Sequence, residues 1–308
     1  MTYSKIVLVT RRTRLANLID RFNTIDQARF YLERAGLDFS DYAREHDSYE
    51  RALDHLKRSL DLRQMQQQTI DRSLLPTFRF DQEDLVVTLG GNGLVANTAK
   101  YVGQLPIVPV NPEPDRFDPI LVPFAVSRAR TAVEQVVTGA AQTRAVTLGQ
   151  VDLSDGQRLL AFNDFFIGAR THVSSRYRVT WSGRTEDQSS SGIIVSTGAG
   201  STGWLASIFN MAAGVSAFTG GAPGKSIRLE WNDPRLLFAV REPFASQRWS
   251  ASIVAGLVEP DQSLRIESMM STEGVLFSDG VESDYLAFGA GLVATIHAAP
   301  EQVRLVWP

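Results

Sequence analysis

The sequence predicts an α/β N-terminal domain of Rossmann-like type, with a parallel sheet, followed by a β-rich C-terminal domain. Three observations carry that reading. Apolar runs at Ile6–Val9 and Leu85–Leu89 suit strands buried on both faces of a parallel sheet. Gly90-Gly91-Asn92-Gly93 breaks the second run sharply and opens onto a helical stretch, as in a mononucleotide-binding unit. Beyond residue 126, short alternating runs recur between turn residues, the pattern of a mostly antiparallel domain.

Taken in order, Ile6-Val7-Leu8-Val9 opens the fold as a buried strand. Ile25 to Leu37, then Tyr49, Leu53, Leu56 and Leu60, place apolar side chains at three-to-four spacing and predict two amphipathic helices. The polar stretch Arg63 to Arg72, with Gln64, Gln66, Gln67 and Gln68, has little to bury. Leu94 to Val102 predicts a helix and Ile107 to Val110 a strand. Prolines 109, 112, 114, 119 and 123 then interrupt regular structure and mark a crossover. The boundary is expected near residue 125, giving domains 1–125 and 126–308, with the last residues able to pack back on the first domain. In the second half Tyr177 to Trp181, Ser226 to Trp231 and Leu264 to Ile266 read as strands, and no internal repeat is found.

At 308 residues and 44% hydrophobic content, the chain can fill two cores. A formal charge of −3 and a pI near 5.9 supply no basic field for a phosphate backbone, so nucleic acid is not expected as a partner. With no cysteine there is no disulfide, thiolate nucleophile or sulfur-ligated zinc. The apolar run after Lys5 is too short for a signal peptide, and nothing approaches the ~18 apolar residues of a membrane span. A cytoplasmic protein without a membrane partner is expected.

Two glycine-rich turns are the chemical candidates. In Thr88 to Leu94 the glycines let backbone N–H groups approach a phosphate at a helix N-terminus. A tight strand-to-helix turn needs such glycines without any ligand, so composition alone leaves both readings open. Ser196-Thr197-Gly198-Ala199-Gly200-Ser201-Thr202-Gly203-Trp204 follows the apolar run Ile193-Ile194-Val195. Its hydroxyls and exposed amides suit ribose and phosphate oxygens, with Trp204 to wall a ring; the alternative is a plain loop feeding a helix. Gly220 to Ser226 looks like a Walker-type loop but is one residue short, with Thr219 where the first glycine belongs, and reads as a surface turn. Histidines 46, 55, 172 and 297 show no metal-ligand spacing, so no protein metal site is expected, and helix-surface or strand-filling roles suit them.

The buried strand, Gly90-Gly91-x-Gly93, Asn163-Asp164 and Ser196 to Trp204 appear in one order, and that order resembles the NAD kinase superfamily. Lys5 to Arg14, Ser190-Ser191-Gly192 and Phe238-Ala239-Val240-Arg241-Glu242-Pro243 are similar to the mitochondrial-type branch, and Phe277-Ser278-Asp279-Gly280 resembles the family's final aspartate-glycine segment. The resemblance implies a two-domain NAD kinase-like fold with the active site in the cleft between the domains. It implies transfer of the γ-phosphoryl group of ATP to the 2′-hydroxyl of the adenosine ribose of NAD, with Mg2+ or another divalent ion, giving NADP. It would place Gly90, Gly91 and Gly93 at the ATP phosphates, Asn163 and Asp164 on the NAD adenosine, and Ser201, Thr202, Gly203 and Trp204 along the nucleotide pocket. A homodimer is implied as well.

One departure bears on the chemistry. Asn92 stands at the family's aspartate position, and its amide can hydrogen-bond but cannot take a proton. Leu94 likewise replaces a threonine. Three functions therefore stand open: an NAD kinase in which Asp279 or Asp164 accepts the proton, a catalytically impaired NAD(P)-binding pseudokinase, and a kinase for a sugar or lipid hydroxyl, since related diacylglycerol kinases share the glycine motif.

Overall fold

The computed structural model describes residues 3–62, 65–114, 120–222, 224 and 227–308. The chain divides into two compact units, residues 1–144 with 304–308 and residues 145–303.

The first unit has a parallel sheet of β1 (Lys5–Thr10), β2 (Gln66–Asp71), β3 (Asp84–Leu89) and β4 (Pro106–Asn111), in the order β4-β3-β1-β2, with the short β5 (Phe124–Ala125) beside β4. Arg304 and Leu305 of the last strand pair in parallel with Pro106 and Ile107. β3 and β4 are buried along their whole length, which their apolar runs require. Helices α1 (Arg14–Phe22), α2 (Ile25–Arg34) and α3 (Phe39–Ser59) follow β1, α4 (Asn92–Ala99) follows β3, and α5 (Ala129–Thr138) follows β5. Thr13, Thr24 and Asp38 cap the first three through their side chains. Tyr49 and Leu56 from α3 and Ala132, Val133 and Val136 from α5 pack with β-strand residues such as Ile6, Leu8 and Val87 in one core.

Several expectations are corrected here. Three helices, not two, lie between β1 and β2. α1 went unread because Leu15 is its only buried residue. The glutamine stretch forms β2, an edge strand held to β1 by backbone pairing, in which Ile70 is the one buried residue. The division between units falls after α5 rather than near residue 125, because α5 buries its apolar face in the first core.

Tyr49 ties this unit together. Its hydroxyl accepts the Arg11 N–H at 3.0 Å and donates to the Leu89 carbonyl at 3.0 Å, joining the ends of β1 and β3. Burial pushes that hydroxyl up to about 12, so it stays a donor at neutral pH. Tyr49→Phe strands both backbone groups and is expected to lower stability by about 1–3 kcal/mol in a denaturant titration; an unchanged midpoint would exclude this tie as a stabilising contact.

The second unit is a sandwich of two sheets. Its strands are β6 (Gln142–Leu153), β7 (Arg158–Ala161), β8 (Asp164–Ala169), β9 (Ser175–Trp181), β10 (Arg184–Ser190), β11 (Ile193–Ser196), β12 (Leu236–Val240), β13 (Ala255–Val258), β14 (Leu264–Ser268), β15 (Gly274–Ser278), β16 (Leu286–Ala287) and β17 (Val293–Trp307). One sheet runs β10-β9-β14-β17, with β6 and β7 alongside; the other runs β13-β12-β11-β8-β15-β16. Tyr177, Val179, Ile266 and Ile296 from the first meet Phe165, Ile167, Val195 and Phe238 from the second in a common core. Helix α6 (Trp204–Phe218) covers part of the second sheet's other face, packing Leu205 and Ile208 near Leu237 and Ala239.

Residues 227–230 are irregular, against the strand expected there: Leu229 is buried under α6, and the Trp231 carbonyl accepts the Thr147 N–H. Pro223, Lys225 and Ser226 of the Walker-like stretch lie outside the described residues. No helix among the described residues is long and apolar enough to cross a membrane.

Candidate functional site

In the first unit the chain leaves β1 toward β2 on one side and returns as β3 on the other, so β1 and β3 form a topological switch point. Ligands of open α/β sheets bind outside the carboxyl ends of strands at such points. Gly90, Gly91, Asn92 and Gly93 stand there. Gly91 is the N-cap of α4, no side chain caps that helix, and its first turn carries no acidic residue. Backbone N–H groups left without a side-chain acceptor suit an anion. The Asn92 side chain is otherwise engaged: its Oδ1 accepts the Leu121 N–H at 3.0 Å, holding the chain that returns toward β5.

Arg11 follows β1 directly and Arg14 opens α1. Glu45, buried on α3, takes both Arg11 and Arg14, the second through a short bond. Burial pushes its carboxyl up, but the two guanidiniums more than offset this and hold it below its ordinary range.

In the second unit Asn163, Asp164, Asp279 and the 196–204 loop come together. β8, β11 and β15 are antiparallel neighbours, which sets Asp164 opposite Ser196 and brings Asp279, just past β15, beside the start of β8. Asp279 lies in left-handed backbone at φ 54°, a conformation aspartate tolerates better than most residues. Its Oδ2 accepts the Phe162 N–H at 3.0 Å and its Oδ1 the Asn163 N–H at 2.6 Å. Its own N–H donates to the Asp164 carbonyl at 2.9 Å. Both Asp279 oxygens thus hold backbone, an anchoring geometry. Asp164 is 8% exposed. Burial first, and the neighbouring Asp279 charge second, push its carboxyl up to about 7.

The glycine-rich loop closes over this pair. Thr197 donates its N–H to the Asn163 carbonyl at 2.9 Å and its hydroxyl to the Phe162 carbonyl at 2.6 Å. Close approach explains two glycines: a Cβ on Gly200 would sit 2.1 Å from the Asn163 carbonyl oxygen, and one on Gly198 1.8 Å from that of Glu230. Ser201 is buried with its hydroxyl on the Gly198 carbonyl at 2.7 Å, so it serves the loop's own structure. Thr202 and Gly203 are exposed, and Trp204 is half-buried.

Trp204 stacks on Phe166, with centroids 5.8 Å apart and planes 7° apart, at the wall of a cavity of about 580 Å³. That volume is in the range of small-molecule sites. The other walls include Arg170, His172, Arg241, Phe277 and Tyr285. His172 therefore faces a cavity rather than filling a strand or a helix surface. His46 bonds the Thr13 hydroxyl, and His297 bonds Asp152. Arg170, Arg241 and Tyr285 were missed as site residues because they come from separate segments; the one signal was Arg241 within the distinctive 238–243 stretch.

Among the described residues no three His, Cys, Asp or Glu side chains gather as metal ligands.

Neither a protein-family model nor a curated protein sequence matches the chain significantly. Among solved structures, yeast NADH kinase complexed with NADH superposes with a TM-score of 0.63 at 14% identity, covering 100% of this chain and 84% of that one. With its parallel first unit and antiparallel second unit, the chain has a two-domain NAD kinase-like fold.

Proposed function

We propose that the protein is an NAD kinase-like phosphotransferase of the mitochondrial-type branch, moving the γ-phosphoryl group of ATP to the 2′-hydroxyl of the adenosine ribose of NAD to give NADP. The observation that carries this reading is the buried Asp164, whose carboxyl is pushed up to about 7 beside Asp279 and so suits a proton acceptor near neutrality. The hydroxyl oxygen attacks the γ-phosphorus, the bond to the β,γ-bridging oxygen breaks, ADP leaves, and the hydroxyl proton passes to Asp164. Asp279 positions the Phe162 and Asn163 backbone. Asn163 and Trp204 hold NAD, with Thr202 and Gly203 at the loop's exposed surface, and Gly90, Gly91 and Gly93 receive the donor's phosphates. Mg2+ bound to the ATP phosphates would supply neutralisation of the charge that develops there. Phosphoryl transfer leans mainly on positioning and charge stabilisation, which is why it tolerates Asn92. A cytoplasmic homodimer belongs to the same reading.

One observation favours a second reading, a nucleotide-binding protein that has lost the chemistry: Asn92 is engaged by Leu121, a structural role that needs no base. NADP formation from ATP, magnesium and NAD, measured for the wild type and Asn92→Asp after calorimetry confirms NAD binding, separates the two. For a phosphotransferase the wild type turns over, and Asn92→Asp changes the rate less than about tenfold. A wild type that binds NAD without turnover, and gains about 10²-fold or more from the aspartate, overturns that reading in favour of the second.

A further inference from the structure

Helix α2 carries its bulkiest apolar side chain on the face turned away from the core. Ala28 and Leu32 are its buried residues, whereas Phe30, on the opposite side of the helix, is 63% exposed. Ile25, Tyr31 and Leu37 are exposed as well. Phe30 borders a groove of about 680 Å³ at the α1–α2 turn, lined also by Arg21, Phe22, Asp26, Tyr31 and Arg34. Phe22 and Tyr31 pack there with ring centroids 4.7 Å apart. Exposed aromatic and arginine side chains gathered in this way have the composition of a protein-binding hot spot.

The charges say what covers it. Asp26 lies in the first turn of α2 and Arg34 in the last, each four residues from Phe30, so the three form one row along the helix. Among the described residues neither Asp26 nor Arg34 has an ion-pair partner. Asp26 and the exposed Glu33 offset Arg21 and Arg34, so the face has no single sign that would select a strongly charged partner. A row that is acidic at one end, aromatic in the middle and basic at the other is complementary to itself when reversed. About a two-fold axis at Phe30, Asp26 meets the partner's Arg34 and Arg34 meets the partner's Asp26. Rows of this spacing pack with the helices crossing at about 50°. The reversed placement also sets the positive end of each helix toward the negative end of the other.

We propose that two copies of this chain associate through α2, with Phe30 on the two-fold axis and an Asp26–Arg34 pair on either side. The homodimer of the phosphotransfer reading has no surface assigned; association through α2 supplies one without resting on nucleotide binding or turnover.

Sedimentation velocity of the full chain over about a hundredfold range of concentration tests it. The wild type is expected to dimerise. Phe30→Glu, at an exposed position, keeps the far-ultraviolet circular dichroism of the wild type and weakens the dimer at least about thirtyfold. Asp26→Arg and Arg34→Asp each bring like charges together twice, and each weakens the dimer about tenfold or more. Asp26→Arg/Arg34→Asp restores opposite pairs and recovers wild-type association to within about threefold. A monomeric wild type overturns the proposal, and so does a dimer indifferent to Phe30→Glu, or single charge reversals that the double variant does not rescue. NADP formation is measured on the same samples: a monomeric wild type that makes NADP removes the interface alone, and a dimer that responds as described without making NADP removes the phosphotransfer reading alone.

Discussion

Gly198→Ala is expected to lower stability by about 3 kcal/mol or more, a fall in melting temperature on the order of 10 °C. A methyl group at this position would lie 1.8 Å from the Glu230 carbonyl oxygen. The obstacle is backbone, not a side chain that can rotate away, and it belongs to the segment that buries Leu229 beneath α6. Gly200→Ala meets the Asn163 carbonyl oxygen at 2.1 Å and should behave alike, whereas Gly93→Ala, with nothing within 4 Å, serves as the neutral control. Equal melting temperatures for Gly198→Ala and Gly93→Ala would show that the loop does not pack as described.

The second large effect concerns Asp164. Its carboxyl rises from an ordinary 3.8 to about 7 through burial and, secondarily, Asp279. A raised folded-state value means that, between these limits, the native protein holds a proton the unfolded chain has released. This group therefore stabilises fully below about pH 4, and its contribution is lost as pH rises to about 7, by up to roughly 4 kcal/mol. Asp164→Asn should flatten stability across that window in urea titrations at several pH values. On the phosphotransfer reading the same variant loses about 10²–10⁴-fold in NADP formation. An unchanged rate would move the proton acceptor elsewhere, and an unchanged pH profile would place the carboxyl in water.

The parts of the fold legible in the sequence are those where one residue run meets one environment. β1, β3 and β4 are buried on both faces and read as continuous apolar runs, and the glycine turn after β3 announces itself by contrast. β2 is illegible because an edge strand needs only its backbone: Gln66 to Thr69 are exposed, and pairing with β1 does the rest. Residues 227–230 mislead in the opposite sense, since Leu229 is buried by α6 without any ladder to hold it. In the candidate site, the loop 196–204 is visible as a cluster of glycines and hydroxyls, but the reason for Gly198 is a carbonyl from residue 230. Asp279 is equally opaque, because the N–H groups it holds lie more than a hundred residues away.

The last strand carries a consequence for biosynthesis. β17 runs through the sandwich of the second unit before Arg304 and Leu305 complete the β4 edge of the first. A chain emerging from the ribosome thus makes the first unit's helices and four parallel strands early, yet leaves the Pro106–Ile107 end of β4 without this partner until residues 304 and 305 have emerged. The unit whose strands are translated first is thus closed only after the sandwich that follows it in the chain has been made.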